Sequence, residues 1–173
     1  MGVSYTIGRM TLLGSALLAL TDVAAAQPSP GIIGSWRVVQ FDNVENGKVF
    51  HRFGEKPLGL FVYTADGHVA IQISNPDNPT CIAPGTKYAP GRRDETNIPA
   101  CTATQMQALI DGTIAYWGTY SVDMAASVVI HHVKSDLGNG YAGTDQRRPF
   151  RLDGDRLEIG DGKTWIRVLE RVR

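Results

Sequence analysis

Gly34-Ser35-Trp36-Arg37-Val38-Val39, read against the closing run Lys163 to Val172 with its Trp165, Arg167 and Arg171, decides the fold of this chain. A glycine lets the incoming backbone turn sharply, and an indole such as that of Trp36 fills the narrow end of a β-barrel. A guanidinium from the last strand can then lie across that ring, and Arg167 and Arg171 both qualify. A first and a last strand that meet in this way close a sheet on itself around a hollow fit for an apolar ligand.

Between these two runs, short segments rich in β-branched and aromatic residues recur, each bounded by Gly, Asp or Asn. They span Trp36 to Val44, Lys48 to Arg52, Leu58 to Thr64, His68 to Ser74, Thr113 to Val122, Ser127 to Lys134, Arg147 to Leu152, Arg156 to Ile159 and Lys163 to Val172. Glu45-Asn46-Gly47, Ala65-Asp66-Gly67, Asp153-Gly154-Asp155 and Gly160-Asp161-Gly162 supply hairpin chemistry between them. Consecutive hairpins make a meander, which can stack as a sandwich or close as a barrel, and closure alone removes exposed strand edges. The expectation is an all-β protein, an up-and-down antiparallel β-barrel of eight to nine strands. One stretch breaks the rhythm: Asn75 to Asn97 is long, polar and rich in Pro and Gly, and Thr102 to Ile110 after it reads as a short helix. A long loop in a compact domain is a lid near a barrel mouth or a decorated surface loop.

Residues 1–26 read as a cleaved signal peptide, leaving the barrel domain to 27–173. Arg9 gives a positive n-region, Thr11 to Thr21 an apolar stretch, and Ala24-Ala25-Ala26 a small-residue cleavage site. Gly14 and Asp22 interrupt the apolar stretch, which is short of the roughly 20 residues of a membrane span, so no stable membrane insertion is expected after its removal. Export places the protein in the periplasm or medium. The chain carries 17 basic and 17 acidic side chains, and the leader takes one of each, so the balance gives no basic excess for tracking nucleic-acid phosphates. Two cysteines are present, Cys81 and Cys101. In an oxidising compartment they form a disulfide that staples the long loop; a metal pair would want Cys-x-x-Cys spacing or a nearby His.

Alternation sorts the strand residues into faces. Tyr116, Gly118, Tyr120 and Val122 share one face, as do Gln146, Arg148, Phe150 and Leu152. A guanidinium on the inward face predicts a lumen with room in it, because a filled core would use aliphatics there. His131 and His132, being adjacent, point to opposite sides and cannot chelate together. His131 shares parity with Val129 and Val133, and His132 with Val128, Ile130 and Lys134. Lys134 prefers water, which favours His131 as the lumenal one, but both rows carry apolar residues and parity leaves the choice between the two open.

Gly34-Ser35-Trp36-Arg37-Val38-Val39 and Pro57 to His68, followed in order by Tyr116 with Gly118-Thr119-Tyr120, Val129 to Val133, Gly143 to Arg148 and Leu152 to Leu157, resemble the bacterial and fungal lipocalin-like domain family. The resemblance runs through essentially the whole mature chain. It implies a calycin-type up-and-down barrel that binds a small hydrophobic molecule. Tyr63, His131, Gln146 and Arg148 fall on positions that the family pattern also carries, and the Cys81 to Cys101 segment is an insertion into it.

Two functions from different classes follow. In one, the protein is an exported module that shelters a small hydrophobic or amphipathic molecule, with Tyr63, Tyr116, Tyr120, His131, Gln146 and Arg148 lining the lumen and Trp36, Arg167 and Arg171 acting structurally. In the other, the lumen is the site of a cyclase or isomerase in which His131 moves a proton and Arg148 steadies negative charge. A purely structural role is the third possibility. No Gly-x-Ser-x-Gly elbow, His-Glu-x-x-His, Walker loop or Gly-x-Gly-x-x-Gly occurs, and the Asp-Gly pairs are explained by turns, so neither a cofactor nor a metal is expected.

Overall fold

The computed structural model describes residues 1–2, 31–79, 81 and 101–173. Residues 3–30, which include all but the first two of the leader, and residues 80 and 82–100, which include most of the long loop expected as a lid or surface decoration, therefore lie outside the described residues. Nine strands and one helix are described: β1 (Gly34–Glu45), β2 (Lys48–His51), β3 (Leu58–Tyr63), β4 (His68–Ser74), α1 (Ala103–Asp111), β5 (Thr113–Asp123), β6 (Val128–Asp136), β7 (Asp145–Asp153), β8 (Arg156–Gly160) and β9 (Trp165–Arg171).

Every neighbouring pair is antiparallel, in the order β1-β3-β4-β5-β6-β7-β8-β9, and β9 pairs back with β1. The result is a closed eight-stranded barrel. Its seam runs from Trp36 opposite Arg171 to Asn43 opposite Trp165, so the two runs that bracket the sequence are the ones that meet. Closure, not stacking, resolves the choice the meander leaves open. The ninth strand, β2, stands outside the barrel circuit and extends the upper half of β1, pairing with Asp42 to Glu45. The hairpin between them needs positive φ at both central residues, and Asn46 (φ 50°) and Gly47 (φ 75°) supply it. Strands β6 and β7 each run two residues further than their apolar pattern predicts, to Asp136 and back to Asp145. Apolar alternation stops before backbone pairing does.

Alternation fills the inside with Val69, Ile71 and Ile73 from β4, Ile114, Tyr116, Tyr120 and Val122 from β5, and Val129, His131 and Val133 from β6. Gly118 interrupts the β5 row where that strand bulges against β6. A Cβ there would lie 2.1 Å from the His132 carbonyl oxygen, so only glycine permits the approach.

Trp36 plugs the end of the barrel where β1 begins. It is fully buried and its indole N–H donates to the Ile32 carbonyl at 2.8 Å. The arginine that lies across it is Arg171, with its guanidinium carbon 4.1 Å from the ring centre and its N–H groups donating to the Ile33 and Gly31 carbonyls. Arg167 makes its own stack at the other end of β1, 3.5 Å from the centre of the Phe41 ring.

The β4–β5 connection carries the helix and the staple. Cys81 and Cys101 are disulfide-bonded, with Cα atoms 4.8 Å apart. Helix α1 starts on a capping box, in which the Thr102 hydroxyl accepts from the Gln105 N–H and the Gln105 side chain accepts from the Thr102 N–H. No helix among the described residues is long and apolar enough to cross a membrane.

Candidate functional site

Three strands bring a histidine and two tyrosines together in the middle of the barrel. His131 is fully buried; the Tyr63 hydroxyl lies 2.8 Å from its Nε2 and the Tyr116 hydroxyl 2.8 Å from its Nδ1. Burial, followed by the charges of Arg148 and His132, pulls the imidazole pKa down to about 3, so the ring is neutral at physiological pH. A neutral imidazole donates from one nitrogen and accepts at the other. One tyrosine therefore donates to the ring and the other accepts from it, and the accepting tyrosine keeps its own O–H for a further partner. Burial likewise raises both phenols, Tyr63 well above its usual value and Tyr116 to about 12. Tyr120 packs edge-on against Tyr63, with ring centres 5.0 Å apart, and donates to the Thr64 carbonyl. His132 points outward, between Ser121 and Asp145.

Most of the lumen is filled by these side chains and by the aliphatics around them. What stays open is a cavity of about 50 Å³ toward the end where β4 leaves and β5 enters. Its walls are Phe41, Phe61, Ile71, Ile73, Ile114 and Ile159, and its polar or aromatic rim is Arg52, Tyr116, Tyr141, Arg148, Trp165 and Arg167. Trp165 is set by the preceding turn, where the Asp161 carboxylate accepts from the backbone N–H groups of Lys163, Thr164 and Trp165. Those donors, with the Thr164 hydroxyl, hold Asp161 well below the usual carboxylate range. The Arg148 and Arg167 guanidiniums face the same indole, 5.4 and 5.6 Å from its centre. Arg167 is held by the Asp42 and Ile166 carbonyls and the Asn43 side-chain oxygen, whereas Arg148 donates to Gln146 Oε1 at 3.3 Å and reaches the Tyr116 hydroxyl. Burial and then the Arg148 charge lower the Arg167 pKa to about 10.

Of the six residues that the sequence nominates as lining, Tyr116 and Arg148 border this cavity. Tyr63, Tyr120 and His131 form the buried floor behind Tyr116, and Gln146 supports Arg148 from the side. Phe41, Arg52, Tyr141 and Trp165 border it without having been nominated. The parity of β9 carries a signal for Trp165, which shares a face with Arg167 and Arg171. Arg52 follows the end of β2 and Tyr141 sits in the β6–β7 connection, where alternation gives no direction.

A larger depression of about 470 Å³ lies on the outer surface, among Leu60, Val62, Ala70, Ala115 and Trp117. Its size exceeds that of the lumenal cavity, but the guanidiniums converge inside, where lower dielectric strengthens what they do.

Among protein families, the one described as lipocalin-like domain has a model that matches residues 33–168, more than half of the chain. No curated protein matches. The matched stretch begins just before Gly34 and ends within β9, and so runs from β1 through the first half of the strand that closes the barrel.

Proposed function

The chain belongs to the lipocalin-like domain family, and we propose from that premise that it is an exported binding protein that holds a small hydrophobic or amphipathic molecule at the mouth of its barrel. The observation that carries this reading is the cavity bounded by apolar side chains and two guanidiniums that share one indole. A site of mostly apolar walls with a few convergent polar groups is what a small-molecule pocket requires. Tyr63, His131 and Tyr116 hold the floor rigid, and Trp36 with Arg171 closes the far end. The leader at 1–26, the mature domain at 27–173 and the disulfide together support export to the periplasm or medium.

The cyclase or isomerase alternative asks His131 to move a proton. Its depressed pKa and its two tyrosine partners support a fixed, neutral, positioning imidazole instead. The test is native mass spectrometry of the exported protein recovered from its source. A small molecule bound at one per chain is the expected result; a chain that arrives free and then takes up none of a panel of apolar and amphipathic probes overturns the reading.

A further inference from the structure

Among the described residues, Arg37, Arg151, Arg156, Arg171 and Arg173 each face a carboxylate within ion-pair distance. Four described arginines make no ion pair there: Arg147, which is exposed to solvent on the outer face, and the three at the barrel mouth, Arg52, Arg148 and Arg167. Of the three at the mouth, Arg148 and Arg167 are half-buried and flank a single indole. Partly desolvated like charges held side by side repel one another, and folded proteins ordinarily pair such groups. Nearby, Asp42 spends its carboxylate on Gln40 and His51, and Asp77 and Asp111 border a separate outer hollow that shares Arg52.

Donor supply points the same way. A guanidinium carries five N–H donors in a planar fork; Arg148 commits one nitrogen to Gln146, reaches the Tyr116 hydroxyl, whose pKa its hydrogen bond lowers, and keeps further donors while lining the cavity. At about 50 Å³ the cavity suits a group of a few heavy atoms, with the rest of the ligand extending outward past Arg52. A planar anion that accepts from two N–H groups at once matches both the fork and the space.

We propose that the ligand taken by this mouth carries a carboxylate, seated against Arg148 and Arg167 with Arg52 at the rim, and that its apolar body leaves through the mouth. This inference rests on the small-molecule reading above and narrows it to acids.

The test is calorimetric titration of the full exported chain at pH 7 with octanoate, 1-octanol and octylammonium, three probes of similar length that differ in head charge. The carboxylate is expected to bind at least about tenfold more tightly than the alcohol, the fold-change that a charge-assisted hydrogen bond of roughly 1.5–3 kcal/mol brings, with octylammonium weakest. Arg148→Gln should shrink that preference below about threefold while leaving octanol within about twofold, again on the scale of one charge-assisted bond. Arg147→Gln, on the outward face of the same strand, should leave the preference intact. Equal binding of octanoate and octanol by the wild-type chain overturns the carboxylate inference while the small-molecule reading stands, and this comparison decides even where Arg148→Gln fails to fold. Loss of the preference in Arg147→Gln also overturns it, because bulk charge would then be the cause. Failure of all three probes to bind overturns both.

Discussion

Replacing Tyr63 by Phe keeps the ring that packs against Tyr120 and removes one oxygen, so what it tests is the hydrogen bond to His131 and not the packing. Tyr63 is 1% exposed and His131 is 0% exposed, so water has no ready access to the Nε2 left behind. Leaving a buried polar atom unpaired costs about 1–3 kcal/mol, and in a chain of this size each kcal/mol lowers Tm by roughly 2–4 °C. Tyr120→Phe supplies the internal comparison. Its hydroxyl donates to the Thr64 carbonyl in a part-buried setting, where solvent can replace it, so the loss should be nearer the net value of one hydrogen bond, about 0.5–1.5 kcal/mol. Urea unfolding of both variants at pH 7, followed by tryptophan fluorescence, gives the two numbers. Tyr63→Phe should be the costlier substitution. If it falls within about 0.5 kcal/mol of wild type, the range of ordinary surface changes, the claim that a desolvated tyrosine–histidine–tyrosine unit organises the lumen fails.

Other outcomes follow from the same structure. Because the folded pKa of His131, about 3, lies below its ordinary 6.5, the unfolded chain binds a proton that the folded chain refuses as pH falls below 6.5. Stability contributed by the neutral ring is thus complete above that pH and is lost toward pH 3 by up to about 1.4 kcal/mol per pH unit; urea midpoints between pH 7 and 5 should fall more steeply for wild type than for His131→Gln. Reducing the Cys81–Cys101 bridge, which spans 20 residues, should lower stability by about 3 kcal/mol on the chain-entropy account, read as a shift in guanidinium midpoint with and without reductant. Gly118→Ala forces a methyl against the His132 carbonyl and should cost about 1–3 kcal/mol as an overpacked position, measured by thermal unfolding.

Where period-two alternation operates, the sequence already holds the answer. That His131 and His132 face opposite ways, and that Arg148 shares a face with Phe150, follows from parity, because a strand gives each side chain one of two directions; that His131 is the inward one is settled by the structure, since both histidines have apolar residues on their own face. The closure of β1 on β9 was legible for a related reason, since Trp36 and the arginines of the last strand make sense only as neighbours. Parity could not say which arginine covers Trp36, because Arg167 and Arg171 share a face. Register decides that, and it includes a bulge between Val38 and Gln40 that no pattern announces. Nor could parity place Arg52 or Tyr141, which lie beyond strand ends. The size of the cavity was likewise not readable, since it is what remains after Trp36, Tyr63, Tyr116, Tyr120 and His131 have packed, a matter of volumes and rotamers. The reading of a roomy, tyrosine-lined lumen thus gives way to a packed floor with a small opening at one mouth.

The three tryptophans of this chain stand at three informative places: Trp36 in the closed end, Trp117 in the outer depression and Trp165 at the arginine mouth. Their indole N–H resonances, followed by ¹⁵N-correlated NMR during titration with octanoate, report directly where a small molecule sits. A saturable shift of Trp165, with Trp36 and Trp117 unmoved, is the predicted result. A shift of Trp117 alone, or of none of the three, would contradict a binding site at the barrel mouth.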